Sequence, residues 1–199
     1  TDRQQARRPL LEIAEALFIG GVRWLSLREK DLRETERRDL LRGLVVLGER
    51  YRATISVHED VESAAAVGAR AIHLPDGASV STARTRLGDV LVGLSAHDAA
   101  GLARAAAAGA DYATLSPVFV SASKPEYGPA LGLAVLDSAA RAARLPVLAL
   151  GGIDERTLAG VVAAGAAGAA VMGELMRADN PEATAKRLVA ALRASLAAR

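Results

Sequence analysis

Hydrophobic residues in this chain come in short runs of four or five, separated by longer stretches in which apolar and polar positions alternate with a helical period. Four of the runs are entered through glycine. Gly21-Val22 leads into residues 23–27, Gly68-Ala69 into 70–74, Gly109-Ala110 into 111–115 and Gly165-Ala166 into 168–172. Glycine after a helix takes the left-handed cap that other residues adopt only at a steric penalty. Each apolar run that follows reads as a parallel strand buried on both faces. Three further runs, 54–57, 90–94 and 147–150, lack the glycine but share the length and apolar character. Between them lie amphipathic stretches at 9–18, 34–51, 78–87, 98–108, 133–143, 155–164 and 181–196. This alternation predicts a parallel sheet with right-handed helical crossovers.

Seven strands with at least as many helices favour a closed barrel over an open sheet. The predicted fold class is α/β, a (β/α)8 TIM barrel with its first strand truncated or missing from the sequence, because only Thr1 and Asp2 precede the first helix. No linker or shift of composition interrupts the chain, so residues 1–199 are expected to form a single barrel domain. Composition refines this picture. Hydrophobic residues make up 51% but aromatics only 3%. The core is therefore aliphatic, with small residues that let helix and sheet approach closely. The 25 basic and 23 acidic residues leave a formal charge of +2, too little for a nucleic-acid partner. The mixed charges of 33–38 read as a solvated helix face. The absence of cysteine excludes disulfides, thiolate catalysis and cysteine-bound zinc. No apolar run approaches a membrane span and no leader is evident, so a cytoplasmic protein without membrane contact is expected.

Candidate chemistry follows from position. In α/β barrels the active site lies where the strands end at their C-terminal side. The unusual polar residues gather at those ends: Arg28, Glu29 and Lys30 after the first run, His58, Glu59 and Asp60 after the second, and His73 and Asp76 at the third. Ser95 and His97 close the fourth, residues 116–124 follow the fifth, Gly151 and Gly152 the sixth, and Gly173 and Glu174 the last. These groups suit anions. Arg28 offers a planar fork for phosphate oxygens, and Lys30, two residues on, a point charge on the same side of an extended strand end. Ser121, Ser123 and Lys124 add hydroxyls and a third cation. Gly151, Gly152 and Gly173 leave backbone N–H groups open at helix starts, where the helix dipole favours negative charge. Two anion-binding sets are thus expected, one of side chains and one of backbone.

The same residues carry a family resemblance. Arg28-Glu29-Lys30, the Gly-Leu-Ser-Ala-His of 93–97, the Ser-Pro-Val-Phe-x-Ser-x-Ser-Lys of 116–124, Leu131-Gly132, the Leu-Gly-Gly-Ile of 150–153 and residues 167–172 before Gly173 together resemble thiamine-phosphate synthase and its relative, the TenI-type aminothiazole tautomerase. The resemblance runs through nearly the whole chain. It implies a (β/α)8 barrel that joins an aminopyrimidine diphosphate to a thiazole phosphate, giving thiamine phosphate and pyrophosphate. It also implies that Arg28, Lys30 and Lys124 hold the diphosphate with Ser95 near by, and that Gly151, Gly152 and Gly173 hold the thiazole phosphate. Magnesium is the implied cofactor, with Glu59 and Asp76 as its carboxylates. The implied partners are small phosphorylated substrates, with homo-oligomerisation left open.

Some positions depart from the family pattern. Ser26 stands where the synthase has Gln, and His58-Glu59 where it has an Asn-Asp pair. Gly77 or Ala78 takes the place of a second magnesium Asp, and Gly173 that of a serine. The tautomerase is the alternative activity, with His58 or Glu59 as proton carrier, although Pro117 occupies the place of that enzyme's histidine. A non-catalytic phosphate-binding relative is the third reading.

Overall fold

The computed structural model describes residues 1–123 and 128–199. Each expected apolar run is a strand: β1 (Trp24–Leu27), β2 (Thr54–His58), β3 (Ala71–Leu74), β4 (Leu91–Ala96), β5 (Tyr112–Leu115), β6 (Val147–Leu150) and β7 (Gly168–Ala170). The helices are α1 (Leu10–Ile19), α2 (Glu34–Tyr51), α3 (Val61–Val67), α4 (Val80–Leu87), α5 (Ala99–Ala107), α6 (Gly132–Ala142), α7 (Leu158–Ala163), α8 (Gly173–Met176) and α9 (Pro181–Ala197). The glycines expected to cap helices do so by left-handed geometry, with φ of 101° at Gly21, 66° at Gly68, 77° at Gly109 and 88° at Gly165. Among the described residues no helix is long and apolar enough to cross a membrane.

The chain divides into two compact units. The first comprises Thr1–Leu74, Ser81–Val92 and Met172–Lys186. In it β1 pairs in parallel with β2, and β2 with β3, in a register that sets Leu27 beside Val57 and His58 beside His73. Helix α1 buries Leu10, Ile13, Ala14, Leu17 and Phe18, the stripe that a 3.6-residue period puts on one face. Its Phe18 ring meets Tyr51 of α2 at 5.8 Å. Thr1 lies along β1, its nitrogen donating to the Ser26 carbonyl at 2.8 Å and its hydroxyl accepting from the Arg28 N–H at 3.0 Å.

The second unit comprises Pro75–Val80, Gly93–Val171 and Arg187–Arg199. Here β4, β5, β6 and β7 pair in parallel, in sequence order. Strand β5 is buried at every position, as a strand covered on both faces must be.

Three local differences from the sequence pattern have physical causes. Helix α3 is not evident from periodicity, since its seven residues complete barely two turns. It forms because Asp60 caps it, the carboxylate accepting from the Ser63 N–H at 2.8 Å. Strand β4 continues beyond residue 94 because Ser95 and Ala96 still find partners in Thr114 and Leu115. Ser95 therefore lies within the strand and not after it. Strand β7 ends at Ala170, two residues early, because its partner β6 ends at Leu150, where Gly151 turns away.

Gly93 sits opposite Tyr112 in the β4–β5 register, and a methyl group at residue 93 would overlap the Tyr112 ring. Gly93→Ala is therefore expected to destabilise the protein by about 1–3 kcal/mol. That corresponds to a melting temperature lower by several degrees. In the background of Tyr112→Ala the same change should cost clearly less; equal losses in both backgrounds would disprove the clash.

Candidate active site

The ends of β1 and β2 build one cavity of about 370 Å³, lined by Arg28, Glu29, Lys30, Arg37, His58, Glu59 and Asp60. Four of the expected site residues, Arg28, Lys30, His58 and Glu59, thus come together, all within the first unit. Alternation along the strand end separates Glu29 from its neighbours. Glu29 is buried, and both of its carboxylate oxygens accept from the Arg3 N–H at 3.1 Å. Lys30 stays half-exposed and meets the Glu59 carboxylate, Nζ to Oε1, at 2.7 Å.

Glu59 is held by its backbone. Its φ is +66°, and the Asp60 N–H reaches over it to the His58 carbonyl at 2.9 Å, closing a tight γ-turn. Its own N–H donates to the His73 carbonyl at 2.9 Å. The turn leaves Glu59 Oε1 3.2 Å from His58 Nδ1, without the alignment of a hydrogen bond. Hydrogen bonding from Lys30 holds the Glu59 carboxyl below its ordinary pKa.

The parallel register explains a histidine pair. His58 and His73 are adjacent on neighbouring strands, and their rings lie 5.2 Å apart. Burial pushes both imidazoles down from 6.5 to about 4, with mutual repulsion adding to the effect at His58. Both are neutral at physiological pH.

One residue of the cavity carries no signal in the sequence. Arg37 belongs to the charged run expected to be a solvated helix face. It turns inward instead, only 20% exposed, and bonds Asp60 Oδ2 through Nε at 2.7 Å and the Leu32 carbonyl at 3.0 Å. Asp60 thereby caps α3 and anchors Arg37 at once. Nothing in its local sequence marks it out, so only tertiary contact singles it out.

The remaining expected residues fall elsewhere. Gly173 opens α8, a helix of four residues in the first unit. Ser95, Ser121, Ser123, Gly151, Gly152 and Asp76 belong to the second unit. Ser121 Oγ accepts from the Ser123 N–H at 3.3 Å. Gly151 and Gly152 have φ of +100° and +61°, and a Cβ on either would run into Pro117 or Phe119. Glycine is required there because segment 117–120 packs directly on the turn, with the Phe119 N–H bonded to the Gly151 carbonyl at 3.0 Å. Lys124 lies outside the described residues.

Magnesium would need several hard oxygen ligands. Glu59 is already engaged by Lys30, and Asp76 by Arg104 at 2.7 Å. Among the described residues no group of three or more His, Asp or Glu side chains is placed to hold a metal ion. These carboxylates do not fit a ready magnesium site, and no chemical step is derived through one.

The histidine pair has a consequence for stability. A depressed imidazole pKa makes the folded state bind protons less readily than the unfolded chain. Its contribution is complete above pH 6.5 and is lost as pH falls through about 4. Thermal melting is expected to decline across this window, and His73→Asn should flatten the decline. An unaltered pH profile in that variant would show that His73 is not held neutral by burial.

The chain's similarities to known proteins agree with this geometry. The family model described as thiamine monophosphate synthase matches residues 1–175. A thiamine-phosphate synthase of Halorhodospira halophila is 41% identical over 189 residues, covering 94% of this chain and 90% of that protein. One from a Mycobacterium species (strain KMS) is 37% identical over 204 residues, covering 96% and 90%. Among solved structures, thiamine phosphate pyrophosphorylase from Pyrococcus furiosus superposes with a TM-score of 0.87 at 24% identity, covering 95% of this chain and 92% of its own. A 3-hexulose-6-phosphate synthase shares the fold at a TM-score of 0.74 and 20% identity, covering 96% and 95%. The α/β barrel class expected from the sequence is borne out by these superpositions. With a match over most of its length and relatives this similar, the chain belongs to the thiamine monophosphate synthase family.

Proposed function

We propose that this protein is a thiamine-phosphate synthase, joining an aminopyrimidine diphosphate to a thiazole phosphate with release of pyrophosphate. The observation that carries the reading is the strand-end cavity in which Arg28 and Lys30 stand together. Cleavage of the bond between the pyrimidine methylene carbon and the diphosphate leaves a cation on the pyrimidine and places negative charge on the departing group. The thiazole nitrogen then donates its electron pair to that carbon. Such a reaction needs no protein nucleophile. It needs groups that bind the leaving diphosphate more tightly as its charge grows, and others that hold the second substrate in line.

Arg28 suits the first task. Its fork can grip two oxygens at once. Lys30 adds a second, mobile cation to the same cavity. Charged, phosphorylated substrates also favour a cytoplasmic location, because they do not cross membranes unaided.

The tautomerase reading has less support. Proton transfer is fastest when the carrier's pKa lies near the working pH. Burial takes His58 down to about 4, and Lys30 holds Glu59 low as well, so neither is poised to shuttle a proton at neutral pH.

With both substrates and magnesium present, the purified protein is expected to release pyrophosphate. Arg28→Ala should lower kcat by about 100- to 1000-fold, the range for losing one donor that stabilises developing charge. Arg28→Lys should restore little, because a point charge does not replace a fork. Release no faster than background by the unaltered protein would exclude the synthase reading.

A further inference from the structure

We propose that Glu59 is an internal stand-in for the substrate's diphosphate: it holds Lys30 over the cavity while the site is empty and yields the lysine when the diphosphate arrives, and it does not serve as a metal ligand. The inference rests on the diphosphate reading of the cavity given above.

The geometry sets Glu59 against Lys30 in this cavity. Lys30 Nζ comes from the end of β1 and Glu59 Oε1 from the end of β2, and they meet at 2.7 Å in a space also lined by Arg28. The other acids lining it are committed elsewhere. Glu29 accepts from the Arg3 backbone, and Asp60 holds Arg37 and the start of α3. His58 Nδ1 lies 3.2 Å from Glu59 Oε1 without the alignment of a hydrogen bond. Among the described residues Lys30 is the cation in direct contact with Glu59.

The backbone at Glu59 is set against its residue type. A left-handed conformation is costly for a residue other than glycine. Here it accompanies the turn bond from Asp60 and the bond from the Glu59 N–H to the His73 carbonyl.

The pair is weak enough to exchange. Lys30 and Glu59 are 51% and 39% exposed, and ion pairs exposed to this degree contribute little to stability. A diphosphate carries more charge and more acceptor oxygens than one carboxylate, so it outcompetes Glu59 for the ammonium group. When the pyrophosphate has left the cavity, Glu59 recaptures Lys30. A metal ion on Glu59 would instead face the lysine ammonium across a single carboxylate, and Asp76 is neutralised by Arg104.

The two roles for Glu59 predict opposite effects of one isosteric change. Calorimetric titration with inorganic pyrophosphate would be run on the unaltered protein, Glu59→Gln, Lys30→Met and the double variant, first in EDTA and then with magnesium. Under the proposal Glu59→Gln tightens metal-free pyrophosphate binding by about two- to fivefold. The gain shrinks as salt is raised and vanishes in the Lys30→Met background. Tightening cannot arise from a misfolded variant, so a positive result stands on its own. Unchanged or weaker metal-free binding by Glu59→Gln, in a protein whose pyrophosphate binding Arg28→Ala abolishes, overturns the proposal alone. So does a magnesium-dependent increment in binding that Glu59→Gln removes. If the unaltered protein binds no pyrophosphate in either buffer, the diphosphate reading of the cavity falls and this proposal falls with it.

Discussion

Parallel pairing of strands covered on both faces constrains everything else in this protein. A strand such as β5, buried at every position, has no place along its length for an exposed charge. Charged groups can appear only where the chain leaves the sheet, and parallel order brings the C-terminal ends of neighbouring strands to the same side. The β1–β2 register sets Leu27 beside Val57, so the residues that follow, Arg28 to Lys30 and His58 to Asp60, emerge side by side. The cavity is a direct product of that pairing.

Its electrostatics arise from the same constraint. Substituents on a strand end alternate, which sends Glu29 inward to the Arg3 backbone and leaves Arg28 and Lys30 to the cavity. One strand over, the register sets His58 against His73, and burial holds both rings neutral. The cations of the site, Arg28, Lys30 and Arg37, therefore stand among the acids Glu29, Glu59 and Asp60. A cavity of this kind is suited to a leaving group that gains negative charge, and it places little demand on proton transfer.

The departures from the family pattern acquire a physical meaning in this setting. His58 and Glu59 are two positions where the sequence departs from the pattern that the resemblance implies. Glu59 meets Lys30 across the cavity, next to the γ-turn in its own backbone. Arg28 and Lys30 keep their places at the strand end.

The repeat of amphipathic stretch, glycine and apolar run by itself determined the seven strands, their parallel order and the left-handed helix caps. Those features depend on local sterics and on a period that each segment carries within it. The placing of Arg28, Lys30, His58 and Glu59 at strand ends was legible for the same reason. What tertiary structure alone decided is which of these groups meet. The Lys30–Glu59 pair is separated by 29 residues in sequence, and the inward turn of Arg37 onto Asp60 by 23. Neither has a local signature: Arg37 shares its helix with other arginines, and Glu59 follows a strand as many polar residues do. Contacts of this kind depend on strand register, on the cap that starts α3 and on the carbonyl of His73. None of these exists until the strands have paired.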